Sequence, residues 1–356
     1  MFDTVAMAEI AEGVTRKTGI RAHAASIEHI LGAVERSSNF WIITHLAREP
    51  IPLVAEAVRS LVAADQLKIT PGGIFLTPEG FSYCKSAGIF PPGENGCTAC
   101  GGTGVSLSMY QETLDAFREI AQERPEAIAA FDQGHVTPES TLRRVAMLDR
   151  HCDLKGKALL VLGDDDLVGL AAALTALPAR VVVLEVDGRL VDFMARASAT
   201  YRLPIEVESH DLRGPLPAPL TGAFDVTESD PPEAEDSFRT FILRSLSGLK
   251  GPRCAAYFGL TRTESSLSKW AALQSLLLEN HTAITGIHPD FNEYELWNYH
   301  TETRAARMAP APQEPDSRWY YSALLRAETL EGFKPDALTG MEAEESTDHD
   351  VEPSTT

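Results

Sequence analysis

Apolar residues recur at helical spacing through Val5–Lys17, Ile27–Val34 and Phe40–Leu46, and Pro50-Ile51-Pro52 opens a further helix that continues as Val54–Leu67. Two short β-rich runs then flank a Pro71-Gly72-Gly73 turn, from Leu67 to Thr77. Helices followed by a two-stranded wing form the winged-helix pattern, and it spans residues 1–90. That module usually reads DNA by presenting basic and amide side chains in the major groove. Here the helix in question, Val54–Asp65, offers Arg59 against Glu56 and Asp65, so a structural or dimerisation role is expected instead.

Residues 91–107 form a linker rich in Pro, Gly and Cys. Helical periodicity returns at Ser108–Gln122, Pro125–Phe131 and Pro138–Cys152. From Lys157 the pattern changes. Ala158–Leu162, Arg180–Val186, Ile205–Glu208, Phe224–Thr227 and Arg253–Gly259 read as buried strands. Helical stretches at Asp166–Ala176, Arg189–Tyr201, Glu235–Leu246 and Ser265–Leu277 alternate with them. Such alternation predicts an α/β, Rossmann-like doubly wound sheet of the adenosylmethionine-binding type over residues 108–340, with ligands at the carboxyl ends of the strands. Residues 341–356 are acidic and rich in Ser and Thr, a composition expected to stay disordered.

Composition narrows the function classes. No stretch of 18 uncharged apolar residues occurs and the N-terminus lacks a basic region followed by an apolar core, so neither a membrane span nor a secretory leader is expected. Five irregularly spaced cysteines argue against a disulfide framework and point to a reducing, cytoplasmic address. Cys97-Thr98-Ala99-Cys100 is half of a tetrahedral zinc site, with Cys84 as a third thiolate; no fourth ligand has ribbon-like spacing, so a plain turn is expected and no metal is assigned. The net charge is −20, and residues 1–90 hold only 8 Lys/Arg and 9 Asp/Glu of it, so nearly all the acidity lies downstream. A field of that sign repels nucleic acid and anionic lipid and draws cations in.

The acids stand at strand ends. In a doubly wound sheet the first strand–helix turn meets the cofactor and an acid closing the second strand meets its ribose. Gly163 and Glu185 occupy those places, at the spacing of about twenty residues that the fold requires. Asp211, in His210-Asp211-Leu212-Arg213, closes the third strand, where adenosyl-binding enzymes meet the adenine. With no glycine-rich turn for a pyrophosphate, a nucleoside is expected rather than a dinucleotide. The loop Gly163-Asp164-Asp165-Asp166 departs from the usual glycines. One aspartate would serve as an N-cap for the next helix. Three would repel the carboxylate of adenosylmethionine and welcome a decarboxylated donor that ends in ammonium. Asp230-Pro231-Pro232-Glu233 closes the fourth strand. Asp-Pro-Pro before an aromatic residue is how amine-modifying adenosyl enzymes hold a nucleophilic nitrogen. Glu in the fourth place opposes stacking of a flat base and supplies a counter-ion for a polycation.

Asp132-Gln133-Gly134 with Thr137-Pro138, the loop Gly163–Leu167, His210–Arg213 with Pro215-Leu216-Pro217, and Asp230-Pro231-Pro232 together resemble the branched-chain polyamine synthase family, in order and closely from about Asp132 to Phe258. The resemblance implies aminopropyl transfer from decarboxylated S-adenosylmethionine, a co-substrate, to the secondary nitrogen of spermidine. The products would be a branched polyamine and methylthioadenosine, and the enzyme a homodimer.

Under that reading Asp166 is the first candidate for the base and Asp165 the second, while Asp230 orients the nitrogen. Asp164 faces the donor's aminopropyl end. Gly163, Glu185, Asp211 and Leu212 hold the nucleoside, and Gln133, Pro231 and Glu233 join Asp230 around the amine. The competing readings are an adenosylmethionine-dependent N-methyltransferase on the same fold and a winged-helix regulator that senses polyamines. His288 and His300 carry no metal-ligand pattern, and Trp297, Trp319 and Tyr320 are candidates for either a cleft wall or core packing.

Overall fold

The computed structural model describes residues 4–93, 97 and 100–338. Its chain begins with four helices, α1 (Thr4–Thr18), α2 (Ala24–Arg36), α3 (Phe40–Ala47) and α4 (Ile51–Ala63). The hairpin follows as β1 (Leu67–Thr70) and β2 (Gly73–Leu76), and then α5 (Pro78–Ala87), a helix that periodicity misses. Its start is legible in hindsight: the Thr77 hydroxyl accepts from Gly80 N at 3.0 Å, and Pro78 stands at the first helical position. Helix α4 buries Leu53, Val54, Ala57, Val58 and Leu61, and its Arg59 donates to the Met308 carbonyl at 2.6 Å. The basic side chain of the would-be reading helix is thus tied to the chain itself.

The second unit runs α6 (Gln111–Ala121), α7 (Pro138–Arg150), β3 (Ala158–Leu162), α8 (Val168–Leu174), β4 (Arg180–Glu185), α9 (Gly188–Tyr201), β5 (Ile205–Ser209), β6 (Val226–Ser229), α10 (Glu235–Gly248), β7 (Ala255–Thr261), α11 (Leu267–Glu279), β8 (Thr282–Glu293), α12 (Arg304–Met308) and β9 (Tyr321–Thr329). Residues 125–131, expected as a helix, make only a 3-10 turn at Ala129–Phe131, closed by Asp132 in the left-handed region. The seven strands order as β5-β4-β3-β6-β7-β9-β8. The first five are mutually parallel, as expected, and β9 and β8 add an antiparallel edge that the repeat of strand and helix did not announce. His288 lies in β8 and His300 in a short turn beyond it. The acidic tail from Glu342 falls outside the described residues.

Alternation within the buried strands covers both faces of the sheet. Leu159 and Val161 of β3 pack with α7, α8 and α9, while Leu160 and Leu162 pack with Leu212, Leu216 and Phe224 on the other face. Each such side chain stabilises the fold by roughly 1.5–3 kcal/mol through burial. Strand order reverses between β3 and β6, so the loops after β3, β4 and β6 open into one crevice.

Helix α8 starts two residues later than its periodicity suggests, because Leu167 adopts φ 59° and the helix begins only at Val168. The buried Asp164 carboxylate accepts from Val168 N at 2.5 Å and Gly169 N at 2.9 Å, satisfying two amides that the helix cannot. Asp164→Ala is therefore expected to lower stability by about 2 kcal/mol, seen as an earlier urea midpoint; an unchanged midpoint would deny it this role.

Candidate active site

A cavity of about 520 Å³ lies over the carboxyl ends of β3, β4 and β6, within the usual size range of ligand pockets. Gly163, Asp165, Glu185, Asp211, Leu212, Asp230, Pro231, Glu233 and Gln133 all line it. Asp164 and Asp166 are not among the residues that line it.

The nucleoside side is built from main-chain turns. Gly163 takes φ 65° and donates its amide to Leu184 O at 2.8 Å, folding the loop back over β4. Glu185 ends β4 and is nearly sealed, its Oε2 accepting from Asp164 N at 2.7 Å and its Oε1 from Asp187 N at 2.8 Å. Burial pushes its carboxyl up, and these amides pull it back. The Gln133 side chain, at the cavity wall, is held by its neighbours. Its Nε2 donates to Asp187 at 3.0 Å and its Oε1 accepts from Ile128 N at 3.1 Å, so it braces the loop after β4. Asp211 is half-buried and gripped by Arg213, whose Nη2 lies at 2.5 Å and holds the carboxyl below its usual range. The Leu212 carbonyl accepts from Arg244 Nε at 3.0 Å.

Beneath the floor of the cavity stands Arg144, on the buried face of α7 and 1% exposed. Its Nη1 pairs with Asp166 at 2.9 Å and with Glu228 at 3.2 Å, its Nη2 with Asp230 at 2.5 Å, and its Nε donates to Asn292 Oδ1 at 2.8 Å. Asp166 also accepts from Val136 N at 2.7 Å. Its Oδ1 thus meets an amide and its Oδ2 the Arg144 charge, both below the cavity. Asp230 Oδ2 takes both Arg144 and the Tyr294 hydroxyl. Burial and Asp230 keep that phenol protonated, so it donates. Gly259 on β7 makes room for the second oxygen: a Cβ there would sit 1.8 Å from Asp230 Oδ1.

Asp165 is the member of the loop that faces the cavity. It is half-buried, and only its main-chain carbonyl is held, by Arg124 Nη1 at 3.1 Å. Burial and the neighbouring Asp166, Glu185 and Asp230 push its carboxyl well above the carboxylate range, with Arg124 opposing. Such a group takes up a proton readily. Across the cavity, Glu233 is pushed up in the same way by burial and by Glu264, Asp230 and Asp132.

The remaining wall is aromatic. Tyr320 meets Tyr294 at 4.9 Å and Trp297 at 5.3 Å, both edge to face, and its hydroxyl donates to the buried Glu264. Trp297 and Tyr320 thus line the cleft, whereas Trp319 is core. Arg144, Glu228 and Tyr294 escape a reading by strand ends. The available signals were an arginine on the apolar stripe of α7 and a glutamate inside the buried run Val226–Ser229. Cys84 is buried in α5, apart from the linker thiols, and no cluster of metal-binding side chains occurs among the described residues.

Residues 112–355 match the family model of the branched-chain polyamine synthase A C-terminal domain. The chain belongs to the branched-chain polyamine synthase family. It is 42% identical over 355 residues to the N(4)-bis(aminopropyl)spermidine synthase of Methanocaldococcus jannaschii, covering 98% of this chain and 100% of that one. The enzyme of the same name from Thermococcus kodakarensis is 42% identical over 330 residues, 92% of this chain and 94% of the relative. Among solved structures, the branched-chain polyamine synthase of Thermus thermophilus, in complex with N4-aminopropylspermidine and 5'-methylthioadenosine, superposes with a TM-score of 0.91 at 40% identity. That match covers 99% of this chain and 100% of the other.

Glu228 gives the family site a pH signature. Burial raises its carboxyl from 4.5 to about 7, with Arg144 opposing and Asp230 and Asp166 adding to the rise. The folded chain then holds a proton that the unfolded chain has released. The stability tied to this group is full below the unfolded value and is lost as pH climbs through the folded one. Glu228→Gln is expected to flatten the fall in urea midpoint between about pH 5 and pH 8; an equally steep fall in the variant would place that titration elsewhere.

Proposed function

We propose that the protein transfers an aminopropyl group from decarboxylated S-adenosylmethionine to the secondary nitrogen of spermidine, giving a branched polyamine and methylthioadenosine. Decarboxylated S-adenosylmethionine is a co-substrate; the reaction needs no resident cofactor. The observation that carries the reading is the pairing of Asp165, raised and facing the cavity, with Asp230, which lines the same cavity and whose Oδ2 is anchored. Arg144 and Tyr294 converge on that one oxygen.

The nucleoside lies over Gly163 with its ribose at Glu185 and its adenine toward Asp211 and Leu212. The sulfonium then faces the loop. An aliphatic amine has a pKa of about 10 and arrives protonated, so it must lose a proton before it can attack. Asp230 Oδ1 orients the nitrogen and Asp165 accepts its proton, directly or through water. The nitrogen lone pair forms the new bond to the propyl carbon as the carbon–sulfur bond breaks, and that electron pair neutralises the sulfonium to a thioether. Glu233 holds a distal ammonium, and the faces of Tyr294, Trp297 and Tyr320 carry the methylene chain and its charges. Asp164 takes no part beyond its helix cap, and Asp166 supports Asp230 through Arg144.

The order of helices and hairpin in the N-terminal unit supports a winged-helix assignment with a structural role. Family resemblance supports a homodimer, and five free cysteines support a cytoplasmic address.

Purified protein incubated with decarboxylated adenosylmethionine and spermidine is expected to release methylthioadenosine and a branched amine, and to give no methylated product with adenosylmethionine. Absence of methylthioadenosine with every polyamine tried, together with methyl transfer from adenosylmethionine, would overturn the assignment in favour of an N-methyltransferase.

A further inference from the structure

The helices of the N-terminal unit and the aromatic wall of the cavity share one hydrophobic core. Phe40, Trp41, Val54 and Leu61 belong to the same packed cluster as Val136, Tyr294, Trp297, Trp319 and Tyr320. Three of these, Tyr294, Trp297 and Tyr320, line the cavity. At the junction stands Trp41 of α3, 1% exposed, with its indole Nε1 donating to Gln313 O at 2.8 Å.

Two chains of ring contacts lead from Trp41 to the cavity. In one, Trp41 lies 4.7 Å from Trp319, Trp319 meets Tyr320 edge-on at 5.3 Å, and the Tyr320 hydroxyl is fixed on Glu264. In the other, Trp41 meets His300 edge-on at 4.5 Å and His300 stands 5.8 Å from Trp297. His300 is buried and its pKa is lowered by desolvation, so it serves as a neutral ring. The unit is clamped to this wall by hydrogen bonds to main-chain carbonyls as well. Asn39 Nδ2 donates to Glu314 O at 2.9 Å, and Ile51 N to Thr263 O at 2.8 Å, next to Glu264.

We propose that Trp41 is a positioning residue for the polyamine acceptor: the N-terminal unit sets the planes of Tyr320 and Trp297 and thereby the affinity for a cationic aliphatic chain that it never touches. The inference rests on the aminopropyl-transfer reading for the identity of the ligand. A ring face binds a cation only when the cation lies over it, so a tilt of Tyr320 or Trp297 weakens binding of the chain. The nucleoside side, built on β3, β4 and the loop after β5, has no member in this cluster, so donor affinity is independent of Trp41.

The test compares Trp41→Ala, Trp41→Phe and His300→Leu with the unaltered protein, and uses Phe117→Leu, a fully buried position in the core under the catalytic sheet, as the control for loss of stability alone. Thermal unfolding, the Kd of methylthioadenosine by calorimetry, and the KM for spermidine are measured on each. Trp41→Ala is expected to raise KM for spermidine about tenfold, Trp41→Phe and His300→Leu to raise it less, and all three to leave the Kd of methylthioadenosine within about twofold. Phe117→Leu is expected to lower the melting temperature with KM unchanged. A lowered melting temperature in the Trp41 variants with unchanged KM would overturn the proposal, as would equal losses in methylthioadenosine and spermidine affinity. Should the unaltered protein bind methylthioadenosine and yet transfer nothing to spermidine, the reading of the acceptor fails first and the proposal falls with it.

Discussion

One guanidinium set against three carboxylates is the constraint around which the site is arranged. Arg144 sits beneath the cavity, sealed from solvent, with Asp166 and Glu228 on one nitrogen and Asp230 on another. Removing one partner from a buried ion pair costs about 3–5 kcal/mol, because the remaining charge is left without compensation. Three acids against one cation leave excess negative charge, which adds to burial, the larger cause, in raising the carboxyl of Glu228. Asp164, also sealed, draws on a different source of positive potential, the free amides at the start of α8.

The triple aspartate therefore divides its labour by direction. Asp164 turns back to cap a helix, Asp166 turns down to the arginine, and Asp165 faces the cavity. Asp165 has neither amides nor a guanidinium on its carboxylate, and burial together with acids on three sides raises its affinity for a proton. The amine reaction needs that property, since the acceptor arrives protonated.

Much of this was legible in the chain. Gly163, Glu185, Asp211 and Asp230 were found because strand ends in a parallel sheet converge by topology, and the buried runs that mark those ends are unambiguous. The direction of each loop aspartate was not legible, because it hinges on Leu167 adopting a left-handed backbone, which its side chain does not advertise. Nor was the partner set of Asp230. Arg144 lies 86 residues before it and Tyr294 64 residues after it, brought together only by the packing of α7 and the antiparallel edge. Gln133, expected beside the amine, lines the cavity and also braces the loop after β4 through Asp187, a contact that its place in the chain does not announce. The N-terminal unit read as a separate structural or dimerisation module, and it shares its core with the cavity wall.

The central claim is that proton acceptance belongs to Asp165 and not to the arginine-bound Asp166. Single-turnover rates of aminopropyl transfer, measured on Asp165→Asn and Asp166→Asn at saturating donor and spermidine, test it most directly. The account predicts a loss of about a hundredfold or more for Asp165→Asn. For Asp166→Asn it predicts reduced stability and a rate within about tenfold of the unaltered protein. A near-normal rate for Asp165→Asn beside an inactive, folded Asp166→Asn would contradict it.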